Sequence, residues 1–543
     1  MISETDAIAI LLVLTQCLMF VVGLIFLISG LDDLFIDLYF TVRSNYRNYF
    51  VLPKYAPMTE DNLRNTPEQP LAVLIPAWDE FAVIRPMLEN TLRSLEYANY
   101  TIFVGTYPND PQTQLEVEKV REKHKNVQRI VCPHDGPTNK ADCLNWVYQG
   151  IKLYEKNKGI NFQIFVMQDC EDVIHPLCYK LFNYLIPRKD MVQLPVQSLT
   201  GKWYKFTAGH YLDEFAQAHY KDMVVREALN HSIPAAGVGC AFSRRAFDTV
   251  AGSNNNQLFS INSLTEDYDF GFRLKVHGLS QIFVRFATTR LVMRKNFWSR
   301  KSRLVPTKEM VCVREYFPAA FGAAVRQKSR WVIGIALQGW ANLGWAWDGG
   351  TKYMLFRDRK ALITNLANML GYLVLLIVVS LWLISWISPD AYRYPPLLEE
   401  GGFLWYLLLI NGAFFMLRVF LRGFCVQRLY GWREAFLSVP RMAWGNVINF
   451  MATCRAIKLY SRYLRTGKLI AWDKTTHHYP SENELLSYRR KLGDLLLDAR
   501  VITVEQLNSA LQQQRQKQER LGKILEEMGC LSEEDIENAL SRQ

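Results

Sequence analysis

None of the ten cysteines in this 543-residue sequence stands in a CxxC pair. That spacing gives no sign of a zinc ribbon, and the scatter from Cys17 to Cys530 suggests no disulfide framework; thiols kept reduced on a cytosolic face are the plain reading. No charge interrupts the run from Ala7 to Ile28, and neither Lys nor Arg precedes it. A signal peptide needs a basic leader and a small-residue cleavage site, so this run reads as a retained membrane anchor. Disorder is excluded as well, since half of the residues are apolar and 13% are aromatic. A mean hydropathy of −0.04 excludes a chain made only of membrane spans and fits apolar stretches averaged with an ordinary soluble domain.

The surplus of 63 Lys and Arg over 52 Asp and Glu is unevenly placed. Glu4 and Asp6 precede the first apolar run, whereas Arg43, Arg47 and Lys54 follow it; the positive-inside rule then puts the N-terminus outside and the following residues inside. With the anchor over 1–31, two further apolar runs at 360–388 and 403–422 are joined by SPDAYRYPPLLEEGG, short, proline-rich and net acidic as an external hairpin should be. From Phe403 to Trp472 the single acid Glu434 faces a series of Arg and Lys residues, which suits the inner leaflet and overlaps with recognition of a phosphorylated ligand or polymer. The stretch 436–456 holds Pro440, Arg441, Asn446, Asn449 and Arg455 and is a poor lipid-facing span; it reads as an amphipathic helix on the inner surface or as one buried against the other spans. A basic linker, 457–483, contains WDKTTHH.

A soluble unit occupies 70–348. LAVLIPAW (71–78), YTIFVGTYP (100–108) and FQIFVMQD (162–169) are short apolar runs ending at polar or turn residues, and charged helical stretches such as TQLEVEKVREKHKN (113–126) lie between them. Strand alternating with helix predicts a parallel sheet covered by helices, with ligands bound beyond the carboxyl ends of the strands. The polar groups at those ends are Asp79 and Glu80 in PAWDE, Asp110 in YPNDPQT, and Asp169, Glu171 and Asp172 in DCED, with Lys140 in the intervening GPTNKADCLN. Two carboxylates one residue apart suit a divalent cation shared with a diphosphate, or simply a solvated loop. Glu266 and Asp267 in SLTEDYD suit a general base or a helix N-cap. Gln327, Arg330 and Trp331 in RQKSRW fall within one helical turn, as an interfacial anchor also would.

The segment 484–543 contains a repeat. KLGDLLLDARVITVEQLNSALQQQ (491–514) and RLGKILEEMGCLSEEDIENALSRQ (520–543) align at a constant offset of 29 residues, pairing Gly493 with Gly522 and Gln514 with Gln543. Such self-similarity predicts a duplicated helix-turn-helix unit.

Taken in order, strand-end Asp, Lys, DxE, TED and QxxRW bracketed by apolar spans resemble the processive family 2 glycosyltransferases, the class of cellulose, chitin and hyaluronan synthases, over roughly residues 70–480. ISGLDDLFID, GTYPNDPQT, PTNKADCLN, LTEDYDFGFRLK, VREYFP, RQKSRWVIGI and WDKTTHHYP together resemble the bacterial inner-membrane phage-adsorption branch. The resemblance implies an α/β GT-A-like nucleotide-sugar transferase domain inserted between transmembrane helices, followed by a small all-α domain. It implies that Asp79 and Asp110 hold the uridine of a UDP-sugar, Lys140 the diphosphate, and Asp169 with Glu171 a Mg2+ or Mn2+ ion. By the same resemblance Asp267, beside Glu266, is the catalytic base, Gln327, Arg330 and Trp331 sit at the acceptor end, and GVGCAFSRRA (237–246) lines the acceptor channel. PAWDE departs mildly from the usual PxYNE, and the second metal position holds Glu171 followed by Asp172. The repeat resembles the secretion-ATPase N-terminal domain that binds cyclic-di-GMP, which implies a dinucleotide site on Lys491, Leu492, Gly493, Gln514, Arg520, Leu521, Gly522 and Gln543; the first copy departs in having Lys491 for Arg and Arg500 for Gly.

The activity so implied is inverting polymerisation of a sugar at the bacterial inner membrane, with the catalytic and C-terminal parts cytoplasmic and cyclic-di-GMP as activator. The acceptor is a growing glycan or a lipid carrier. An outer-membrane export or receptor protein and a second copy of the chain are the protein partners, and no nucleic acid is expected. Single-sugar transfer to a lipid carrier and a non-catalytic phage receptor or scaffold are the alternatives.

Overall fold

The computed structural model describes residues 4–295, 302–345, 347–387, 397–468, 470, 477–485, 492–517 and 519–540. Its centre is a seven-stranded sheet. The strands are β1 (Leu71–Pro76), β2 (Tyr100–Thr106), β3 (Val127–Val131), β4 (Ile164–Met167), β5 (Met191–Gln193), β6 (Cys240–Ser243) and β7 (Gln281–Phe283), ordered β3-β2-β1-β4-β6-β5-β7. Every residue of β1, β2 and β4 is buried, which explains why these segments are continuous apolar runs without alternation: helices cover both faces. One apolar layer holds Val73, Ile102, Tyr179 and Phe182. The other holds Phe103, Phe165, Phe242, Phe247 and Phe270.

The first four strands in that order are parallel, as expected. The sheet as a whole is mixed, because β6 runs antiparallel to both β4 and β5. Alternation of strand and helix says nothing about the direction in which a later strand re-enters the sheet. GVGCAFSRRA, expected as a channel loop, therefore divides: Cys240–Ser243 is a buried central strand, and the preceding Gly237 and Val238 stand at the strand's open end. A three-stranded side sheet of Val173–Ile174, Val313–Glu315 and Val196–Ser198 lies beside the main one.

Eight helices position the site: α1 (Glu4–Tyr46), α2 (Lys140–Lys158), α3 (Phe206–Gln217), α4 (Glu266–Val276), α5 (Phe321–Trp331), α6 (Gly349–Ile387), α7 (Phe403–Tyr430) and α8 (Trp432–Thr466). Among the described residues three helical stretches are long and apolar enough to cross a membrane: Ile8–Lys54, Gly349–Ile387 and Phe403–Tyr430. The first two extend well beyond the apolar runs at 1–31 and 360–388, because their polar extensions pair with each other and with the sheet domain. Asp32, beyond the apolar part of α1, accepts from Arg357 of α6 at 2.5 Å and also bonds Tyr353 and Lys360. Asp37 pairs with Lys221. On α7, Arg422 donates to Gln217 at 3.0 Å and Tyr430 to the Ser198 carbonyl at 3.1 Å. The C-terminal ends of α1 and α7 and the N-terminal end of α6 thus all meet the sheet domain, so the three apolar stretches leave it in one direction.

Residues 436–456 belong to the longer α8, which continues as a helix through Pro440. Its buried residues Ala435, Ser438, Arg441, Met442, Gly445, Ile448, Ala452 and Ala456 recur at spacings of three and four, one face packed on protein. Gly445 matters there because a Cβ would stand 3.1 Å from the His210 ring, and Gly209 of α3 lets the Arg441 side chain pass where a Cβ would come within 2.6 Å. The opposite side exposes Trp432 and Phe436. Of the two readings of this stretch, the helix takes burial along one face and exposes apolar residues along the other.

The repeat forms two matching helix pairs, Leu492–Asp498 with Val504–Lys517 and Leu521–Glu527 with Glu533–Leu540. A Cβ on Gly493 would meet Leu507 and one on Gly522 would meet Ile536, positions related by the same offset. Thr503 with Gln506, and Ser532 with Asp535, form equivalent capping pairs. Arg500 occupies the left-handed conformation (φ 57°) that Gly529 supplies in the second copy (φ 66°). The shared core includes Leu496, Leu507, Ala510, Ile524 and Leu525.

Candidate active site

The carboxyl ends of β1, β2 and β4 deliver their polar groups to one side. After β1, Asp79 takes a left-handed turn (φ 54°) and its N–H donates to Asp110 Oδ2 at 2.6 Å. Asp110 also caps the helix Pro111–Arg121, accepting the Thr113 N–H at 3.2 Å, so its carboxylate ties the ends of β1 and β2 together. Lys140 opens α2 immediately after the N-cap Asn139, whose side chain accepts the Asp142 N–H at 2.8 Å. The DCED turn after β4 closes on itself, with the Asp169 N–H donating to Asp172 Oδ2 at 2.9 Å. Lys140 Nζ then reaches Asp169 at 2.7 and 2.9 Å from its two oxygens.

From the other side, α4 begins at Glu266 behind the N-cap Thr265 and presents Asp267 to the same space. Asp267 Oδ1 accepts the Tyr268 N–H at 2.8 Å. Its Oδ2 lies beside Gly237, where an added Cβ would stand 2.7 Å from Oδ2 and 3.1 Å from Lys140 Nζ. Gly237 (φ 74°) is therefore required both by its backbone and by the approach of acid and ammonium. The TED loop is fixed to the segment following α5: Gln338 accepts the Leu264 N–H at 3.0 Å and donates to the Asn262 carbonyl at 3.1 Å. Behind α4, Tyr268 donates to Asp358 of α6 at 2.6 Å, and Arg226 grips the same carboxylate through two bonds of 2.7 and 2.6 Å.

Lys140, Asp169, Glu171, Glu266, Asp267, Gln327, Arg330 and Trp331 line one cavity of about 470 Å3. Asp79 and Asp110 are not among the residues that line it; Glu80, next to Asp79, forms that part of the wall. Trp331 packs edge-on against Tyr211, ring centres 5.9 Å apart, and Gln327 Oε1 is buried with no hydrogen-bond partner among the described residues. Of the residues expected at the dinucleotide site, Lys491 and Gln543 lie outside the described residues; Gln514 donates to the Glu519 carbonyl at 3.0 Å, Leu492 and Leu521 border the repeat core, Gly493 packs on Leu507, Gly522 is buried and Arg520 is exposed.

The cavity gathers more negative charge than Lys140 offsets. Burial pushes the Glu171 carboxyl far up, reinforced by Glu315, Asp169, Asp172 and Glu80, and it does the same to Asp172 beside Asp169. Burial and Asp169 push Glu315 up to about 8; burial and Asp267 do so for Glu266. Asp267 is raised by burial, against the pull of Lys140. Burial would depress the Lys140 ammonium, yet Asp169, Glu266 and Asp267 outweigh it and hold it protonated. Carboxyls crowded in this way fit a divalent cation. Among the described residues no three His, Cys, Asp or Glu side chains are preassembled around one point, so diphosphate oxygens and water would complete its shell.

Several lining residues had no assigned role in the sequence. Glu315 lies in VREYFP and Glu80 in PAWDE, both within quoted motifs, and the strand-borne charge of Glu315 was the available signal. Glu214 of α3 lines the wall and binds Lys328 at 2.5 Å and Asn449 at 3.1 Å. His477 arrives from beyond α8.

Gly334→Ala tests how closely the segment following α5 and the TED loop are joined. A Cβ there would stand 2.3 Å from Thr265 Oγ1 and 2.8 Å from its Cβ, so the loop carrying Glu266 and Asp267 must shift. Misplacement of a reacting group by about 1 Å costs roughly 10²-fold; the expected result is a fall in kcat of that order in a variant that folds like the wild type, read from initial rates of nucleotide release.

A mixed sheet with strand-end carboxylates, a buried ammonium and a facing TED acid is the arrangement of a nucleotide-sugar transferase. The family model described as Glycosyl transferase family group 2 matches residues 164–387. The chain is also similar to Bacteriophage adsorption protein B of Escherichia coli (strain K12) and Bacteriophage N4 adsorption protein B of Escherichia coli O157:H7. With each it is 43% identical over 524 residues, 96% of this chain and 70% of the relative. The chain therefore belongs to the adsorption protein B family of family 2 glycosyltransferases. Similar solved structures include a mannosyltransferase from Pyrobaculum calidifontis in complex with GDP-Man and Mn2+ (TM-score 0.45, 13% identity, 79% of this chain and 99% of that one). Another is glucosyl-3-phosphoglycerate synthase from Mycobacterium tuberculosis in complex with Mn2+, UDP-Glc and phosphoglyceric acid (TM-score 0.26, 14% identity, 42% of this chain and 75% of that one).

Proposed function

We propose that this glycosyltransferase takes a UDP-sugar and builds a β-linked surface polysaccharide, with inversion, at the bacterial inner membrane. The observation that carries the reading is the single cavity on which Lys140, Asp169, Asp267, Gln327 and Arg330 converge. Asp79 and Asp110 hold the uridine at the ends of β1 and β2, and Lys140 binds the diphosphate. Asp169 and Glu171 would hold a Mg2+ or Mn2+ ion, whose positive charge would be set against the departing UDP. Asp267 takes the proton of the acceptor hydroxyl as that oxygen attacks the anomeric carbon; the bond from this carbon to the diphosphate breaks, and one displacement inverts the centre. Lys140 and Arg330 neutralise charge on the leaving group, and Trp331 offers a ring face at the acceptor end.

The one-sided arrangement of the three apolar helices supports a cytosolic catalytic domain, with the product passing along the helices to the other side. The names of the relatives support a link to bacteriophage adsorption; in this reading the glycan reaches the surface by way of an outer-membrane export or receptor protein. The repeat, Arg520 and Gly522 above all, receives cyclic-di-GMP and raises the transfer rate. Three candidate spans make a narrow bundle and favour, as a second reading, single-sugar transfer to a lipid carrier, or a pore completed by another copy. Product length on a gel separates the two activities.

A UDP-release screen over UDP-hexoses and UDP-N-acetylhexosamines, with and without cyclic-di-GMP, tests the proposal. One UDP-sugar is expected to give sustained UDP release that the dinucleotide accelerates. Release from none of them overturns the reading, and a rate indifferent to saturating dinucleotide overturns the regulatory part.

A further inference from the structure

Just before its apolar part, α6 carries Arg357, Asp358, Arg359 and Lys360 in succession, and each of these charges is used. Successive side chains on a helix point about 100° apart and so reach different neighbours, while residues three apart share a face. Arg357 and Lys360 form such a face and both bind α1, donating to Asp32 and, at 3.3 and 3.1 Å, to Asp33. Arg359 turns to the segment following α5. It donates to the Gly339 and Gly344 carbonyls at 3.0 and 3.1 Å and lies against the rings of Trp340 and Trp345. Asp358 turns to α4 and accepts from the Tyr268 hydroxyl and, twice, from Arg226. One helical turn thus joins α1, the TED helix and the segment that follows the QxxRW motif. The LDD of ISGLDDLFID, to which the transfer chemistry gives no role, anchors this turn from α1.

Tyr268 connects this joint to the reacting groups. Its backbone N–H donates to Asp267 Oδ1 at 2.8 Å and its hydroxyl to Asp358 at 2.6 Å, so one residue bonds the TED acid at one end and α6 at the other. The phenol is buried, where a hydroxyl without its acceptor is costly. The two parallel bonds from the largely buried Arg226 hold the Asp358 carboxylate in one orientation, as a forked guanidinium pair does. Asp358, Arg226 and Tyr268 all stand on the wall of the catalytic cavity. Resting on the reading of Asp267 as the base, we infer that Asp358 is a positioning residue: through Tyr268 it sets the place of the Asp267 carboxylate relative to α6, α1 and the segment after QxxRW. It acts on the rate through the start of α4 and not by touching the reacting atoms.

The test is steady-state transfer by the purified full-length protein, using the UDP-sugar that the release screen selects, with UDP affinity and Tm measured for each variant. Tyr268→Phe removes only the hydroxyl. It is expected to lower kcat about 10-fold, less than the cost of a full 1 Å displacement. KM for the nucleotide sugar and UDP affinity stay within about twofold. Asp358→Asn lowers kcat at least as far, and the double variant Tyr268→Phe/Asp358→Asn falls no further than Asp358→Asn alone, because both act through one bond. A merely structural role would lower Tm and leave kcat of the folded protein at the wild-type value, and that result overturns the inference. Losses that multiply in the double variant overturn it too, since the two residues would then act separately. Should Asp358→Asn fail to fold with Arg226 left unpaired, the kcat of Tyr268→Phe decides alone. Asp267→Asn separates this failure from failure of the underlying reading. If Asp267→Asn loses transfer while Tyr268→Phe and Asp358→Asn turn over at the wild-type rate, the inference falls and the base stands; if Asp267→Asn transfers as fast as the wild type, the reading beneath it falls.

Discussion

Asp267→Asn is expected to leave UDP binding within about twofold and to lower sugar transfer by at least ~10²-fold, the range of a lost general base. The substitution preserves size and the hydrogen bond that Oδ1 accepts from the Tyr268 N–H, so α4 keeps its start. What it removes is the basic Oδ2 beside Gly237 and Lys140. Burial raises the Asp267 carboxyl, which strengthens it as a proton acceptor, and the nearby ammonium of Lys140 counters that rise and favours the ionised form that catalysis needs. The loss should appear in kcat, with KM for the nucleotide sugar nearly unchanged. Transfer by the Asn variant close to the wild-type rate would remove Asp267 from the mechanism.

Removing the cation by chelation, or its anchor by Asp169→Asn, is expected to lower turnover by at least ~10²-fold, the scale of a lost electrostatic contact to the leaving group. Mn2+ restores the chelated wild type and fails to restore the variant. Stability gives a second readout. Burial and neighbouring carboxylates push Glu171 and Asp172 well above their ordinary values, and Glu266 and Glu315 up to about 8. Because these folded-state values are raised, the metal-free fold binds more protons than the unfolded chain. The stability these four groups contribute is fully present below the ordinary carboxyl range and is lost as pH climbs through their raised values. A divalent cation replaces those protons, so Mn2+ with UDP should raise Tm more at pH 8 than at pH 6. An equal shift at both values would contradict the role given to this acidic cluster.

Much of the framework is legible along the chain. β1, β2 and β4 are apolar runs closed by polar residues, and the strand-end acids, the lysine and the TED and QxxRW motifs appear in an order that foretells their meeting. Periodicity at an offset of 29 likewise anticipates two matching helix pairs, down to the Arg500 that stands in a glycine's conformation. What stayed hidden depends on contacts between distant residues. Nothing local to CAFS fixes its direction in the sheet, which is decided by pairing with β4 and β5. Pro440, Arg441 and Asn449 marked 436–456 as a poor lipid-facing span without saying what holds it: α8 packs one face on α3 and α5, with Asn449 bonded to Glu214 and Lys328. Asp110, expected from the resemblance to hold a uridine, also accepts from the Thr113 and Asp79 N–H groups, a structural tie that no sequence pattern announces. His477 and Glu80 are 397 positions apart, and no pattern in either segment announces the other.

The most direct measurement is a cryo-EM structure of the full-length protein with UDP and Mn2+. The account predicts the diphosphate against Lys140, the cation between it and Asp169 with Glu171, the uracil toward Asp79 and Asp110, and the Asp267 carboxylate across the remaining space on the side of Gln327 and Arg330. UDP bound away from this cavity, or Asp267 turned from the cation with protein filling the space between them, would contradict it.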